Sequence, residues 1–178
     1  MWAKHKQQSG FTIVELLIVI VVIAILGAIS IVAYNGIQQR ARDTQRKSDV
    51  GSIIKALGLY NVDKGAMYIG SGCGAGGNGD GWFNYNYAAP GSDVNECLKT
   101  QNYISGTIKD PANVNICTVG DLGCRKYIKY TCVQNSITTT YIFANLESVG
   151  HTANDTDGTC ASNIDTDYGM NYFVKMTH

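Results

Sequence analysis

Nineteen consecutive residues, Leu16 to Tyr34 (LLIVIVVIAILGAISIVAY), carry no charge and no proline. That length is close to the ~20 residues with which a helix crosses a ~30 Å hydrocarbon layer. The run is apolar on every side, so it has no face for water and belongs in lipid or in a protein core. Its β-branched residues would favour a strand in water. In lipid a lone strand leaves its backbone unpaired, so the run predicts a helix. A cleaved secretory signal has a shorter apolar core and ends at a small-residue cleavage site, whereas this run passes directly into a second helical pattern.

Charge is divided sharply around that run. The 178 residues hold 14 basic and 14 acidic side chains, a formal net charge of zero. A balance of this kind lacks the basic excess with which proteins neutralise nucleic-acid phosphates. Glu15 is the one carboxylate between Phe11 and Gln39, and Arg40 to Lys64 is dense in charge. Lys4 and Lys6 precede the span, while Arg40, Arg42, Arg46 and Lys47 follow it. Counting positive charge alone would place the C-terminal side in the cytoplasm. The six cysteines, 73, 97, 117, 124, 132 and 160, all lie beyond the span and point the other way. An even set confined to one polar region reads as a disulfide framework made in an oxidising compartment. A zinc site would need ligands two to four residues apart, and the closest pair, Cys117 and Cys124, has six between. The expected orientation is therefore N-terminus inside and domain outside. Six cysteines allow 15 pairings. By position alone, Cys73–Cys97 and Cys132–Cys160 are plausible, and Cys117–Cys124 would close a short loop.

Glu15 stands at the start of the apolar run. A buried, unpaired carboxylate there is costly, so it marks either an interfacial position at the positive helix end or a partner. The surrounding string, Gly10-Phe11-Thr12-Ile13-Val14-Glu15-Leu16-Leu17-Ile18-Val19-Ile20 after a short basic leader, resembles the class III signal of type IV pilins and pseudopilins. The resemblance is specific over residues 10–20 and extends in character to about residue 65. It implies cleavage by a membrane prepilin peptidase between Gly10 and Phe11, with N-methylation of the new terminus. It also implies that Glu15 pairs with the Phe11 amine of a neighbouring subunit during assembly. Many members carry a proline in the second half of the apolar segment. Here the prolines are Pro90 and Pro111, leaving Gly27, Ser30 and Gly36 as the weak points of the helix.

Past Tyr34 the pattern becomes amphipathic. Ile37, Ala41, Val50, Ile53, Ile54, Leu57 and Tyr60 follow three-and-four spacing, with Arg40, Arg42, Arg46, Lys47 and Lys55 largely off the stripe. Asp43 and Lys47 form an expected i,i+4 pair, and Lys64-Gly65 a stop. A helix from Thr12 to about Val62 would be roughly 75 Å long. Residues 70–81 hold seven glycines and lack the Gly-Lys-Ser/Thr end of a phosphate loop. Leu98 to Asn113 loosely resembles the stretch leading into the sheet of pilins. Lys126–Val133 and Ile137–Leu146 read as a hairpin about Gln134-Asn135-Ser136, with Tyr172-Phe173-Val174 as a last strand.

The predicted fold is thus α+β: a long N-terminal helix with a small antiparallel sheet packed on its C-terminal half. The expected divisions are a leader 1–10, a membrane or filament-core helix 11–34, its amphipathic continuation 35–64 and an exterior domain 65–178. Asp155, Asp157, Asp165 and Asp167 are a weak calcium candidate, because Ala153 and Ile164 occupy positions where an EF-hand needs ligands. Arg125, Lys126, Tyr127, Lys129 and Tyr130 alternate bases with aromatics as single-strand DNA binders do, and a strand with a polar face gives the same string. His5, His151 and His178 form no catalytic constellation, and no enzyme or cofactor is expected. The resemblance implies a type IV pilus subunit, major or abundant. It would be a membrane precursor and then a surface filament for adhesion, motility or DNA uptake. Its partners would be itself, prepilin peptidase, the assembly platform, minor pilins and an unknown receptor. A secretion pseudopilin or minor pilin is the alternative within the family, and a monomeric membrane-anchored adhesin or binding domain the alternative outside it.

Overall fold

The computed structural model describes residues 10–65, 81–83, 93–112, 117–151 and 163–176, with the side chains of 132–134 and 138 excepted. Its longest element is α1, Ile13–Lys64. The chain divides into two compact units, Met1–Gln38 and Gln39–His178. In the first unit α1 is apolar on all sides. Its large apolar side chains between Phe11 and Ile37 range from 47% exposed (Val21, Val22) to 90% exposed (Phe11). Among the described residues it is the one helix long and apolar enough to cross a membrane.

In the second unit α1 turns one face inward. Val50, Ile53, Ala56, Leu57 and Tyr60 are buried there, at the three-and-four spacing that aligns side chains along a helix. They meet a three-stranded antiparallel sheet of β1 (Tyr127–Gln134), β2 (Ile137–Ala144) and β3 (Tyr172–Met176), in the order β1-β2-β3. β1 and β2 are a hairpin in register Gln134↔Ile137 to Tyr127↔Ala144. Asn135 and Ser136 close it with positive φ of 52° and 65°, the handedness that matches strand twist. The expected hairpin and last strand are therefore present, as is the α+β architecture.

Period-two alternation gives the sheet two apolar faces. Tyr127, Ile142, Ala144 and Met176 pack with the α1 face, Val94 and Leu98 in the first core. Ile128, Tyr141 and Phe143 face the other way, into a second core with Trp82, Cys117, Cys124, Ile164 and Met170. Two short helices complete the unit. α2 (Val94–Thr100) is capped by Asp93, whose carboxylate accepts from the Asn95 N–H. α3 (Ile164–Tyr168) ends on Gly169 at φ 68°, where an added Cβ would overlap the Leu122 carbonyl. Gly81, at φ 78°, abuts β1. Lys129 N–H donates to the Gly81 carbonyl at 2.6 Å, and a Cβ at Gly81 would overlap the Lys129 carbonyl.

Three expectations about the second half of α1 need correction. Ile37 and Ala41 are exposed and do not belong to the core-facing stripe. The inward face continues N-terminally from Val50 through Arg46 and Asp43, both buried. Asp43 pairs with Arg46 at i,i+3 rather than with Lys47, and the Lys47 ammonium lies 5.6 Å from the Tyr172 ring centroid.

Candidate functional site

The N-terminal turn of α1 holds the residues that the signal resemblance singles out. Glu15 Oε2 accepts from the Thr12 backbone N–H at 2.8 Å and from Thr12 Oγ1 at 2.7 Å. Thr12 Oγ1 accepts in return from the Glu15 N–H at 3.2 Å. This is a reciprocal capping box, Thr-x-x-Glu, which satisfies two of the N–H groups that a helix start leaves open. The Glu15 carboxylate is thus held at the front of the helix, beside the peptide that follows Phe11. Gly10 and Phe11 sit exposed just ahead of it. The spacing was legible in the sequence, and Thr12 is the functional partner that sequence reasoning passed over. Further along, Ser30 Oγ donates to the Leu26 carbonyl at 2.7 Å, a back-bond that slightly weakens a helix and tends to bend it.

The second unit contains a buried ionic network with no sequence precedent. Arg46, fully buried, donates through Nε and Nη2 to the two Asp110 oxygens at 2.6 and 2.9 Å. Its Nη1 donates to Asp43 Oδ1 at 2.8 Å and lies 2.8 Å from Glu147 Oε1. Arg42 clamps Glu147 from outside through Nε at 2.8 Å and Nη2 at 2.5 Å. Asp43 accepts in addition from the Glu147 and Ser148 N–H groups and from Ser148 Oγ. Burial pushes the Asp43 carboxyl up, and these donors, Ser148 first, overcome it and hold the group at about 2. The Arg42 hydrogen bonds hold Glu147 at about 2 against burial. Burial opposes the Arg46 charge, and its carboxylate partners more than offset that. Nearby, Tyr127 Oη donates to Asp49 at 2.6 Å. Burial raises Asp49 above the usual carboxylate range despite that bond. These contacts tie α1 to the segments around Asp110 and Glu147.

The remaining candidates are distributed as follows. Cys117 and Cys124 are joined by a disulfide with Cα atoms 5.2 Å apart. Cys97 is also disulfide-bonded, and no described cysteine is free. Cys73 and Cys160 lie outside the described residues, as does most of the 70–81 loop, and Cys132 is placed by its backbone in β1. Asp155 and Asp157 also lie outside. Asp165 and Asp167 sit in α3, where Asp165 is buried and accepts from the Thr166 N–H. The base–aromatic string does not form a solvent face as a DNA groove would require. Lys126, Tyr127 and Lys129 are buried, and Arg125 donates to the Asn145 side chain.

Comparison with known proteins accounts for the N-terminal turn. The family model of the prokaryotic N-terminal methylation motif matches residues 5–31. Over 60 residues, 34% of this chain, it is 35% identical to type II secretion system core protein G of Pseudomonas aeruginosa, covering 42% of that protein. The same protein of Aeromonas hydrophila is 33% identical over 60 residues, again 42% of its length. The type IV wide pilus major component PilA4 of Thermus thermophilus is 38% identical over 58 residues, 33% of this chain and 44% of that protein. The chain therefore spans less than half the length of the curated relatives it matches. No solved structure matches it. The chain thus carries the prokaryotic N-terminal methylation motif at the start of a wholly apolar helix, and over its first third it is similar to type II secretion core protein G and to a type IV pilus component.

Proposed function

We propose that this chain is a structural subunit of a type IV pilus, major or abundant, and not an enzyme. The observation that carries the reading is the capping box on a helix exposed and apolar on every side. A helix with that surface is stable only in lipid or among other helices. As a precursor it stands in the cytoplasmic membrane with the Cys-bearing unit outside. Prepilin peptidase cuts between Gly10 and Phe11 and methylates the new amine, and the assembly platform then moves the subunit into a homopolymeric surface filament. In the filament Glu15 meets the Phe11 amine of a neighbour. Each charge alone is strongly disfavoured in a low-dielectric bundle, and in register they offset one another. Before docking, Thr12 holds the Glu15 carboxylate, so assembly exchanges a local cap for an ion pair.

The test is filament yield at matched levels of processed subunit. Glu15→Ala should insert and be cut to a chain beginning at Phe11, by intact mass, and should yield little sheared filament. Wild-type yield from Glu15→Ala refutes the pairing. Subunits in filaments that still carry Met1–Gly10 refute the processing.

A second reading, a pseudopilin of a type II secretion system, is favoured by the identity to core protein G in two species. Deleting the chain would then abolish type II secretion. The pilus reading instead predicts loss of surface filaments with secretion intact.

A further inference from the structure

The Gln39–His178 unit carries two surface features of opposite character on opposite sides of its sheet. The first is a groove of about 560 Å³ in the helix layer, between the outer flank of α1 and the segment Tyr103–Lys109. Its rim is basic. Lys55 and Lys109 are exposed and make no ion pair among the described residues. Its floor is partly apolar, with Ala56, Leu59 and Ile104, and Leu59 is 59% exposed although it sits on a helix with an adjacent core. The groove's wall is firm: Tyr103 packs edge-on against Tyr60 at 5.5 Å and donates to Asp63 at 2.9 Å.

The second feature lies across the sheet, over the core that α1 does not touch. The Cys117–Cys124 disulfide closes an eight-residue loop that displays Val119, 69% exposed, and Leu122. Beside them are two partly exposed carboxylates, Asp121 and Asp167. The loop is braced against α3 by the Gly120 N–H donating to the Asp167 carbonyl at 2.7 Å. It is also braced within itself, where Asp121 Oδ1 accepts from the Gly123 N–H. The bracing holds two apolar side chains outward beside two carboxylates in a fixed arrangement.

We propose that the Cys117–Cys124 loop of one copy docks in the Tyr103–Lys109 groove of a second copy. Val119 and Leu122 enter the groove, and Asp121 and Asp167 lie against Lys55 and Lys109. The charges are complementary, which selects orientation and register more than it adds affinity. Because loop and groove lie on opposite faces of the sheet, no copy can satisfy its own groove. The contact is heterologous: each copy offers a loop to one neighbour and a groove to another, and such contacts build open helical arrays unless the rotation closes a ring. The inference rests on the filament reading and adds to it a second, polar-rimmed contact, independent of the N-terminal helix.

The experiment uses full-length chain in sheared filaments. A photo-crosslinking amino acid replaces Leu59 in the groove, and the adducts are mapped by mass spectrometry. Adducts to residues 117–124 or 163–168 of another copy are expected. Adducts confined to other segments overturn the contact. In parallel, Lys55→Glu with Lys109→Glu should lower filament yield about fivefold, the scale of two partly screened ion pairs per contact. Adding Asp121→Lys and Asp167→Lys should restore it. Asp121 also holds the Gly123 N–H, so Asp167→Lys alone is the conservative arm, since Asp167 braces the loop through its backbone. Unchanged yield in every charge variant refutes the proposal while leaving the filament reading intact. Absence of filaments from the wild-type chain would instead refute the filament reading, and this contact with it.

Discussion

Removing Asp110, a buried carboxylate, should strongly destabilise the Gln39–His178 unit. Asp110→Ala deletes the two acceptors of Arg46 Nε and Nη2, at 2.6 and 2.9 Å, and the acceptor of the Ala112 N–H at 2.8 Å. Arg46 stays fully buried and keeps only its Nη1 contacts to Asp43 and Glu147. Breaking one side of a buried ion pair typically costs 3–5 kcal/mol, because the remaining charge is left desolvated. The two surviving carboxylates place this case at the low end, about 3 kcal/mol. For a chain of this size that is a fall in Tm of roughly 10 °C. Arg42→Ala is the internal control. Its side chain is 32% exposed and Glu147 retains Arg46, so solvent screens the pair and the loss should be much smaller than for Asp110→Ala. Both variants are measured in detergent by urea titration followed by circular dichroism, with disulfides intact and a single transition verified. A loss for Asp110→Ala no greater than that for Arg42→Ala would show that the buried guanidinium is not held in the way described.

The same network makes the unit acid-sensitive in a defined window. Asp43 and Glu147 sit at about 2 in the folded chain, below their ordinary 3.8 and 4.5, so folding is favoured by each ionised group. That contribution, about 2–3 kcal/mol each, is full above pH 5, shrinks as pH falls through 4.5 and is gone below 2. Asp49 is raised rather than lowered and acts in the opposite sense, so it offsets part of the loss. Urea midpoints should therefore drop steadily between pH 5 and 2.5, and midpoints level across that range would contradict the assignment. Gly81→Ala should cost at least about 2 kcal/mol, since the new Cβ meets the Lys129 carbonyl at a φ of 78° that L residues avoid. A midpoint within 0.5 kcal/mol of wild type, on the order of surface noise, would refute that.

The elements that sequence revealed are those specified locally. The apolar run, the Asn135-Ser136 turn and the Val50, Ile53, Leu57, Tyr60 stripe each express a period or a turn requirement within a few residues. The stripe fails at Ile37 and Ala41 for a physical reason. Core-facing positions 43 and 46 are filled by charged residues, and periodicity of apolar residues cannot detect a buried face made of ions. Their partners Asp110 and Glu147 come from distant segments, so only the tertiary fold brings them together. Lys126 and Lys129 mislead in the same way, as charged residues on buried strand positions. α2 and α3 are too short to leave a helical period, and their caps are the only local signs. The Thr12–Glu15 box was fully present in the sequence. Both residues of the box stand at capping spacing within one turn, so that part of the site is specified locally.

Four cations, Arg40, Arg42, Arg46 and Lys47, follow the apolar segment, and folding withdraws two of them. Arg46 is sealed among three carboxylates and Arg42 is clamped by Glu147. Arg40 and Lys47 remain on the surface. A nascent chain and a folded one therefore present different flanks to a membrane. If the unit reaches the exterior, folding there hides the very charges that would favour its retention inside. Returning would require extracting a buried guanidinium from its partners along with the core around Val50 and Ile53. The charge that follows the apolar segment is therefore not the four cations counted in the sequence but the two, Arg40 and Lys47, that folding leaves on the surface.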